Sequence, residues 1–591
     1  MTISHAHMLS VASKAAITAG ELLRGVFFDH DRAADAVENA DIAAEDLIYE
    51  ALCHEFPTMG FRMEERPERN QEAAPGCEYT WLIDPHDGTT AAKSGWRGAS
   101  VSIGCIKGDR PVLGVVYAYA YPDNGGDLIA WAEGCGPLKR NGSELRRNGA
   151  RRPLLLVSKH ADRFGDLYSK TFQPSPYECL PGVAYRLARV AAADGQCAIS
   201  LHGPRDFDCL GGHALLIGSG ADLFDSNGKP IRYSASTAER YGACFGGQAA
   251  VAKQIYQADW QKLRSPTRIA TPLVEPRADR LLRDNGLLTR GRGALIGLLA
   301  VDYANARHSS QLTGEGKPQS TFTACGEMSL SLARSILAAG GYSADAAASA
   351  YQRWLTVTTN PVTDSTRYAI GKGYGSAAAV QRHADPNCQD HTALMRCVPI
   401  ALLGVGQAPE DTARWLQLDA RLTHSSAHCL ESSRFYGQLL SGIVEQGLCT
   451  KAASQYAEHL LEGTGFSREL KTAVQCGLKK EADPWSRVEG HALASLQIAI
   501  SHLKQGLNLE EVLKGTPASD MHTAAALPLY GALYGAIHGF SSVPAWARET
   551  ILTQRARCGP SAAPLWEPSL SAVDALIIAE QLTSIVNKQE A

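Results

Sequence analysis

The sequence predicts a layered α/β domain followed by an all-α domain, and three observations carry that prediction. A chain of 591 residues is too long for one hydrophobic core. Up to about Trp260, strand-like apolar runs alternate with helical stretches and glycine turns. Beyond about Asn285 the strand-like runs stop, and Ala, Leu and Ser recur at helical spacing.

Taken in order, the opening MTISHAHMLSVASKAAITAGELL has no basic start and no apolar signal core, and its period is that of an amphipathic helix. AAEDLIYEALCHEF repeats that pattern. TWLID, ASVSIGCI, PVLGVVYAYAY, LIAWAE and PLLLVSK are strand-like, with turns at Asp123-Asn124-Gly125-Gly126 and Asn141-Gly142 between them. KLRSPTRIATPLVEPRADRLLRDN, rich in Pro and Arg, is expected to be a linker. The expected divisions are thus residues 1–262, a linker over 263–285, and a helical domain over 286–591. GALIGLLAVDYANA, EMSLSLARSILAAGG, ADAAASAYQRWL, AHCLESSRFYGQLLSGIVEQ and TAAALPLYGALYGAIHG are its helices, with small residues that permit close packing.

Composition narrows the function. A formal charge of −4 argues against a nucleic-acid partner, which requires clustered Lys and Arg. No apolar run approaches the roughly 20 residues that span a bilayer, so no membrane partner is expected. Fifteen cysteines without a CxxC pair point to reduced thiols and a cytoplasmic location rather than a disulfide framework.

The most informative stretch is Trp81-Leu82-Ile83-Asp84-Pro85-His86-Asp87-Gly88-Thr89-Thr90. An apolar strand ends at Asp84 and Asp87 follows a tight turn, so both carboxylates can point at one hard cation, with the His86 carbonyl as a further oxygen. Gly88, Thr89 and Thr90 would open a helix whose N–H groups face a phosphate. A lone Asp-x-x-Asp-Gly is commonly a structural turn, but two more acidic elements flank this one. Phe61-Arg62-Met63-Glu64-Glu65 precedes the strand, and Asp206-Phe207-Asp208 begins a later apolar helix. Converging carboxylates raise one another's pKa unless a cation neutralises them.

This series, with Asp35-Ala36-Val37-Glu38-Asn39-Ala40-Asp41 and Ala132-Glu133-Gly134-Cys135-Gly136, resembles the signature of the inositol monophosphatase superfamily over roughly residues 8–250. The resemblance implies an inositol monophosphatase-like α/β sandwich and Mg²⁺ held by Glu64, Asp84, Asp87, Asp208 and the His86 carbonyl. It implies that Glu64 and Thr89 orient the attacking water. Asp35 and Asp41 are expected at the rim, as ligands of a weaker third ion or as plain surface acids. Arg186 is expected either to meet a second polar group of the substrate or to be solvated. The sequence departs from the family where Phe207 replaces the usual Trp and Ile217-Gly218-Ser219-Gly220 lacks an acid, so the substrate need not be an inositol phosphate.

In the second half, Gly293 to Ala304, Thr323-Ala324-Cys325-Gly326-Glu327-Met328, Ala393 to Pro399, Leu422-Thr423-His424 and Asp520-Met521-His522-Thr523 occur in order. Together they resemble the ADP-ribosylglycohydrolase family. That family's two acidic motifs are degraded here, because Ala324, Cys325 and His522 stand where its carboxylates would be. Loss of that charge argues against a dinuclear Mg²⁺ centre, and no cofactor is assigned to this half. Cys325, His522 and Asp520 admit a softer metal or an inert buried thiol and a satisfied imidazole. Three readings stay open: N-ribosyl cleavage with Asp520 or Glu327 stabilising cationic charge, ribosyl binding involving Thr323 and Thr523, or structural cover.

The expectation is therefore a two-domain hydrolase. Its first half removes phosphate from a small metabolite, a nucleotide or ribosyl phosphate, and its second half cleaves or holds the ribosyl compound. The rival is a phosphatase regulated by a non-catalytic ADP-ribose-sensing or structural second domain. Homo-oligomerisation is compatible with either.

Overall fold

The computed structural model describes residues 4–145, 153–264, 273–312, 321–462, 465–481, 491–515, 521–554, 557–558, 565–566 and 568–585. It divides into two compact units, Met1–Thr271 with Pro276–Arg283, and Pro272–Glu275 with Asp284–Ala591.

The first unit alternates helix and sheet layers. Helices α1 (His5–Phe27) and α2 (Ala36–Glu55) lead into β1 (Gly60–Met63), β2 (Tyr79–Asp87), the short α3 (Thr89–Lys93), β3 (Ser100–Lys107), β4 (Arg110–Ala118), β5 (Asp127–Ala132), β6 (Lys139–Arg140) and β7 (Ser143–Glu144). These strands form one sheet in sequence order, antiparallel except for β1 beside β2. Both faces of β1 to β5 are buried, which is why these strands are mostly apolar. Trp81, Ile83, Val101 and Ile103 face Ala16, Leu23, Ile48 and Leu52 of α1 and α2. Leu82, Val116 and Ile129 face the other way, as the period of two requires. The expected Asn141-Gly142 turn joins β6 to β7 with both residues at positive φ (51° and 81°), the conformation a two-residue hairpin demands.

A second sheet contains β8 (Leu155–Ser158), β9 (Tyr177–Leu180), β10 (Cys197–Ser200), β11 (Asp222–Asp225) and β12 (Cys244–Gly247), in the order β11-β12-β10-β8-β9. α5 (Val183–Ala191) and α6 (Asp206–Gly218) lie between the sheets, sharing a core of Leu187, Leu210 and Leu215 with residues of both. α4 (Gly165–Phe172) and α7 (Ala249–Tyr256) cover the outer face. Only β8 of this second sheet was anticipated, because four-residue strands are too short to show a period.

Among the described residues, the second unit is helical apart from one two-residue ladder, Arg557–Cys558 with Leu565–Trp566. Its described helices include α8 (Asn285–Leu312), α9 (Ala324–Ala339), α10 (Ala344–Val357), α11 (Asp364–Lys372), α12 (Ala377–Gln381), α13 (Thr392–Met395), α14 (Val398–Leu403), α15 (Pro409–Ala420) and α16 (Ala427–Gln446), and a later helix, Met521–His538. Side-chain caps at Thr323, Ser343, Ser376 and Ser426 start four of them. The expected small-residue packing is extreme where α8 meets the Met521–His538 helix. Gly293 and Gly297 lie against the carbonyls of Gly535 and Gly531, leaving no room for a Cβ.

The 263–285 segment, expected as linker, is built into the units in its described part. Leu281 is buried in the first unit's core, whereas the Val274 N–H donates to Asp574 of the second. Among the described residues no helix is long and apolar enough to cross a membrane.

Candidate active site

The first unit's acidic residues converge because three chain segments end at one place. β2 carries Asp84 and Asp87 into the interior, 1% and 7% exposed. The Asp84 carboxylate accepts the His86 N–H at 2.9 Å, the β2–β3 register shifts between Asp84 and Asp87, and the Asp87 carboxylate accepts the Ala184 N–H at 2.7 Å. Gly88 then takes φ of +100° before α3, a conformation that favours glycine. Thr89 donates its hydroxyl to the His86 carbonyl at 2.8 Å, while Thr90 is solvent-exposed.

Glu64 follows β1. Glu45, on the buried face of α2, accepts the N–H groups of Glu64 (2.7 Å) and Glu65 (3.0 Å). Asp208 stands in the first turn of α6, accepting the Arg205 N–H at 2.8 Å. A buried ion pair, Arg62–Asp206 at 2.6 Å, ties β1 to the start of α6 two residues before Glu64 and Asp208 respectively. The carboxylates of Glu64, Asp84 and Asp208 thereby come within 4.8 Å of one another.

The electrostatics reflect this crowding. Burial, then the neighbouring acids, push the carboxyls of Glu64 and Asp84 well above the ordinary range. Burial and the Asp208 charge raise Asp87 likewise, against the pull of Arg186 and of the Val183 and Ala184 N–H groups. Asp208 is also raised by burial. A low-dielectric pocket of acids that cannot all ionise together is stabilised by a divalent cation with oxygen preference, and the donor set is all oxygen.

Several expected residues occupy other places. Arg186 is 2% exposed, and its guanidinium donates to the carbonyls of Leu180 (2.7 Å) and Pro181 (3.0 Å) and to the Ser200 hydroxyl (2.8 Å). It is neither solvated nor available to a substrate, because α5 is enclosed between two sheets. It braces the loop before α5, where Gly182 approaches so closely that a Cβ would fall 2.7 Å from Asp87. Asp41 is no rim acid. It is buried and accepts the His86 ring N–H at 2.5 Å, while the Tyr119 hydroxyl meets the other ring nitrogen at 2.8 Å. The exposed Asp35 accepts the Asn39 amide instead.

In the second unit, Thr323 caps α9 and donates from its N–H and hydroxyl to Asp302, at 2.8 and 2.5 Å. Cys325 donates its thiol toward the Met395 carbonyl. Glu327, expected as a candidate carboxylate, is fully buried and accepts the Trp354 indole N–H (2.8 Å) and the Thr358 hydroxyl (2.6 Å). The reason is its direction: one turn into α9 it faces the packed core. Asp520 lies outside the described residues, as do the side chains of His522 and Thr523.

Glu45, Arg62 and Asp206 were missed. Glu45 left a signal, an acid at a core position of an amphipathic helix. The Arg62–Asp206 pair left none, since its members are far apart in sequence.

Comparison with known proteins matches both halves. The inositol monophosphatase family profile matches residues 4–263, and the ADP-ribosylglycohydrolase profile matches residues 283–570. The chain is 32% identical to the 3'(2'),5'-bisphosphate nucleotidase CysQ of Salmonella typhimurium over 206 residues, 34% of this chain and 79% of that protein. It is 30% identical to CysQ of Escherichia coli over 240 residues, 38% and 94% of the two chains. Among solved structures, an inositol monophosphatase from Anabaena aligns at 23% identity with a TM-score of 0.35, over 43% of this chain and 96% of that one.

Proposed function

We propose a function from one premise: through residues 4–263 this chain belongs to the inositol monophosphatase family. The chain is accordingly a hydrolase of the phosphoric monoester class. Our reading is that it is a Mg²⁺-dependent phosphomonoesterase acting on a small phosphorylated metabolite, a nucleotide or ribosyl phosphate. The observation that carries the cation is the convergence of Glu64, Asp84 and Asp208 within 4.8 Å. With Asp87 and the His86 carbonyl, these residues would hold Mg²⁺. When bound, Mg²⁺ supplies Lewis-acid stabilisation of the phosphoryl and leaving oxygens and a lower pKa for the attacking water.

The remaining tasks belong to the chain's own groups. Glu64 is the carboxylate to accept the water's proton. Its side chain is a quarter exposed, so a water can reach it. Thr89 holds the His86 carbonyl in place through its hydroxyl. Gly88, Thr89 and Thr90 offer first-turn N–H groups to the phosphate. Arg186 acts indirectly, by bracing the loop that leads into α5, where the Ala184 N–H holds Asp87.

For the second half, the enclosure of Glu327 leaves Asp520 as the carboxylate proposed to stabilise cationic charge at a ribose. Thr323 and Thr523 remain proposals as binding residues. Binding without cleavage is the alternative.

The test uses the full chain with Mg²⁺ and with chelator, against nucleoside bisphosphates, nucleoside monophosphates, ribose phosphates and inositol monophosphate. The named activity of the CysQ relatives makes the bisphosphates the first choice. Phosphate release should require Mg²⁺, and Asp87→Asn should lower kcat by at least about 10²-fold with an unchanged circular-dichroism spectrum. A folded Asp87→Asn protein of near-normal activity would refute the site. Release of free base or nicotinamide from the dephosphorylated product would assign cleavage to the second half.

A further inference from the structure

A second cluster of metal-ligating side chains lies in the helical unit. Among the described residues, Cys388 Sγ, Asp390 carboxylate and His424 Nε2 all lie within 4.8 Å of one another. Asp390 Oδ1 is 2.8 Å from His424 Nε2, and Oδ2 is 3.2 Å from Cys388 Sγ. We infer that Cys388, Asp390 and His424 bind one divalent cation of the Zn²⁺ class, at a site separate from the all-oxygen cluster of the first unit.

The donor set argues for the class. One thiolate, one imidazole and one carboxylate form a mixed set that suits Zn²⁺, whereas Mg²⁺ demands oxygen alone. A tetrahedral Zn²⁺ with bonds of about 2.0–2.3 Å keeps its ligands about 3.3–3.7 Å apart. The three side chains therefore need only small adjustments to admit it. Binding releases the Cys388 thiol proton to solvent, and His424 binds through Nε2 as the neutral imidazole, its hydrogen on Nδ1 toward Thr423 Oγ1.

The surroundings are those of a supported site. Thr423 Oγ1 lies 2.8 Å from His424 Nδ1, the position from which an outer partner orients a metal-binding imidazole. Asp390 accepts the Thr392 N–H at 2.8 Å. The intervening Gln389 is pinned by its carbonyl to Ala492 N (2.9 Å) and by its amide oxygen to His491 Nε2 (2.7 Å). Cys429, buried beneath, donates toward the Asp390 carbonyl. Cys388 and Asp390 are only partly buried. Ser365, whose hydroxyl is 3.1 Å from Cys388 Sγ, lines an open cleft of about 840 Å³.

The test uses the full chain, stripped with chelator and returned to excess Mg²⁺ so that hard oxygen sites are filled. Titration with Co²⁺ should then give a thiolate-to-cobalt charge-transfer band saturating at one equivalent and displaced by Zn²⁺. Cys388→Ser should abolish the band, and Thr423→Ala should weaken binding about 10–100-fold, an effect that a purely structural hydrogen bond would not produce. If either variant fails to fold, wild-type protein decides: Zn²⁺ should protect Cys388 from alkylation, read by peptide mass spectrometry. Absence of the band, its persistence in Cys388→Ser, or unchanged labelling of Cys388 would overturn the site. None of these outcomes bears on the phosphatase reading.

Discussion

Asp302 shows what a buried carboxylate costs in this protein. It is 1% exposed and accepts three hydrogen bonds, from Thr323 N, Thr323 Oγ1 and Gly326 N. Burial outweighs them and pushes its pKa up to about 6. Folding therefore favours the protonated acid. Between the unfolded value of 3.8 and about 6, the folded state holds more protons, so this residue's contribution to stability falls as pH rises through that window. Asn at this position can take both amide donors on its oxygen and donate to Thr323 Oγ1. Asp302→Asn should thus gain stability relative to wild type as pH rises from 4 to 7, by about 3 kcal/mol. Denaturant midpoints of both proteins at several pH values check this, and a pH-independent difference would reject it. The same physics explains which site residues were legible. Asp84 and Asp87 share one short motif, and Glu64 and Asp208 stand beside recognisable elements. Arg186 and Glu327 were misread because residue type does not report direction, and both face inward.

At the scale of elements, the position of Asp208 depends on how closely α6 lies against the first sheet. Gly104 of β3 and Gly114 of β4 meet Gly211 of α6, and a Cβ on Gly114 would overlap the Gly211 carbonyl oxygen. Backbone cannot yield as a flexible side chain does, so Gly114→Ala must push α6 outward, at a cost of about 1–3 kcal/mol. It would carry Asp208 away from Glu64 and Asp84. Misplacement of this kind lowers turnover by about 10²-fold. Gly25→Ala, a helical position with nothing within 4 Å of the new Cβ, is the control and should keep full activity. A fully active Gly114→Ala enzyme would show that α6 does not position the site. The α8 crossing gives a parallel expectation: Gly297→Ala, overlapping the Gly531 carbonyl, should lower the second unit's unfolding free energy by about 3 kcal/mol, measured by chemical denaturation. The long helices were legible because their apolar period extends over several turns. The strands β9 to β12 were not, because four residues bounded by turns leave no period to read.

For the whole molecule, the question is where the first unit ends in sequence. Composition placed the boundary at residue 262, since Pro and Arg dominate the segment beyond it, yet composition does not report burial. Leu281 is 3% exposed within the first unit's core, and its carbonyl lies 3.0 Å from His30 Nε2. Asn124 donates to the carbonyls of Leu282 (3.0 Å) and Arg283 (2.8 Å), and Arg283 donates to the Phe28 carbonyl (2.7 Å). Gly95, at φ +86°, lies against the backbone of Ala278. A buried leucine contributes about 1.5–3 kcal/mol and each hydrogen bond about 1 kcal/mol, before the entropy of ordering the strap is subtracted. A fragment of residues 1–265 should therefore fold but be less stable than 1–283 by about 3 kcal/mol. Leu281→Ala in the longer fragment should lose about 2–5 kcal/mol. Urea denaturation of the three proteins decides the matter. Equal midpoints for 1–265 and 1–283 would mean that residues 276–283 only rest on the first unit, whereas an insoluble 1–283 beside a stable full chain would mean that the first unit does not fold alone.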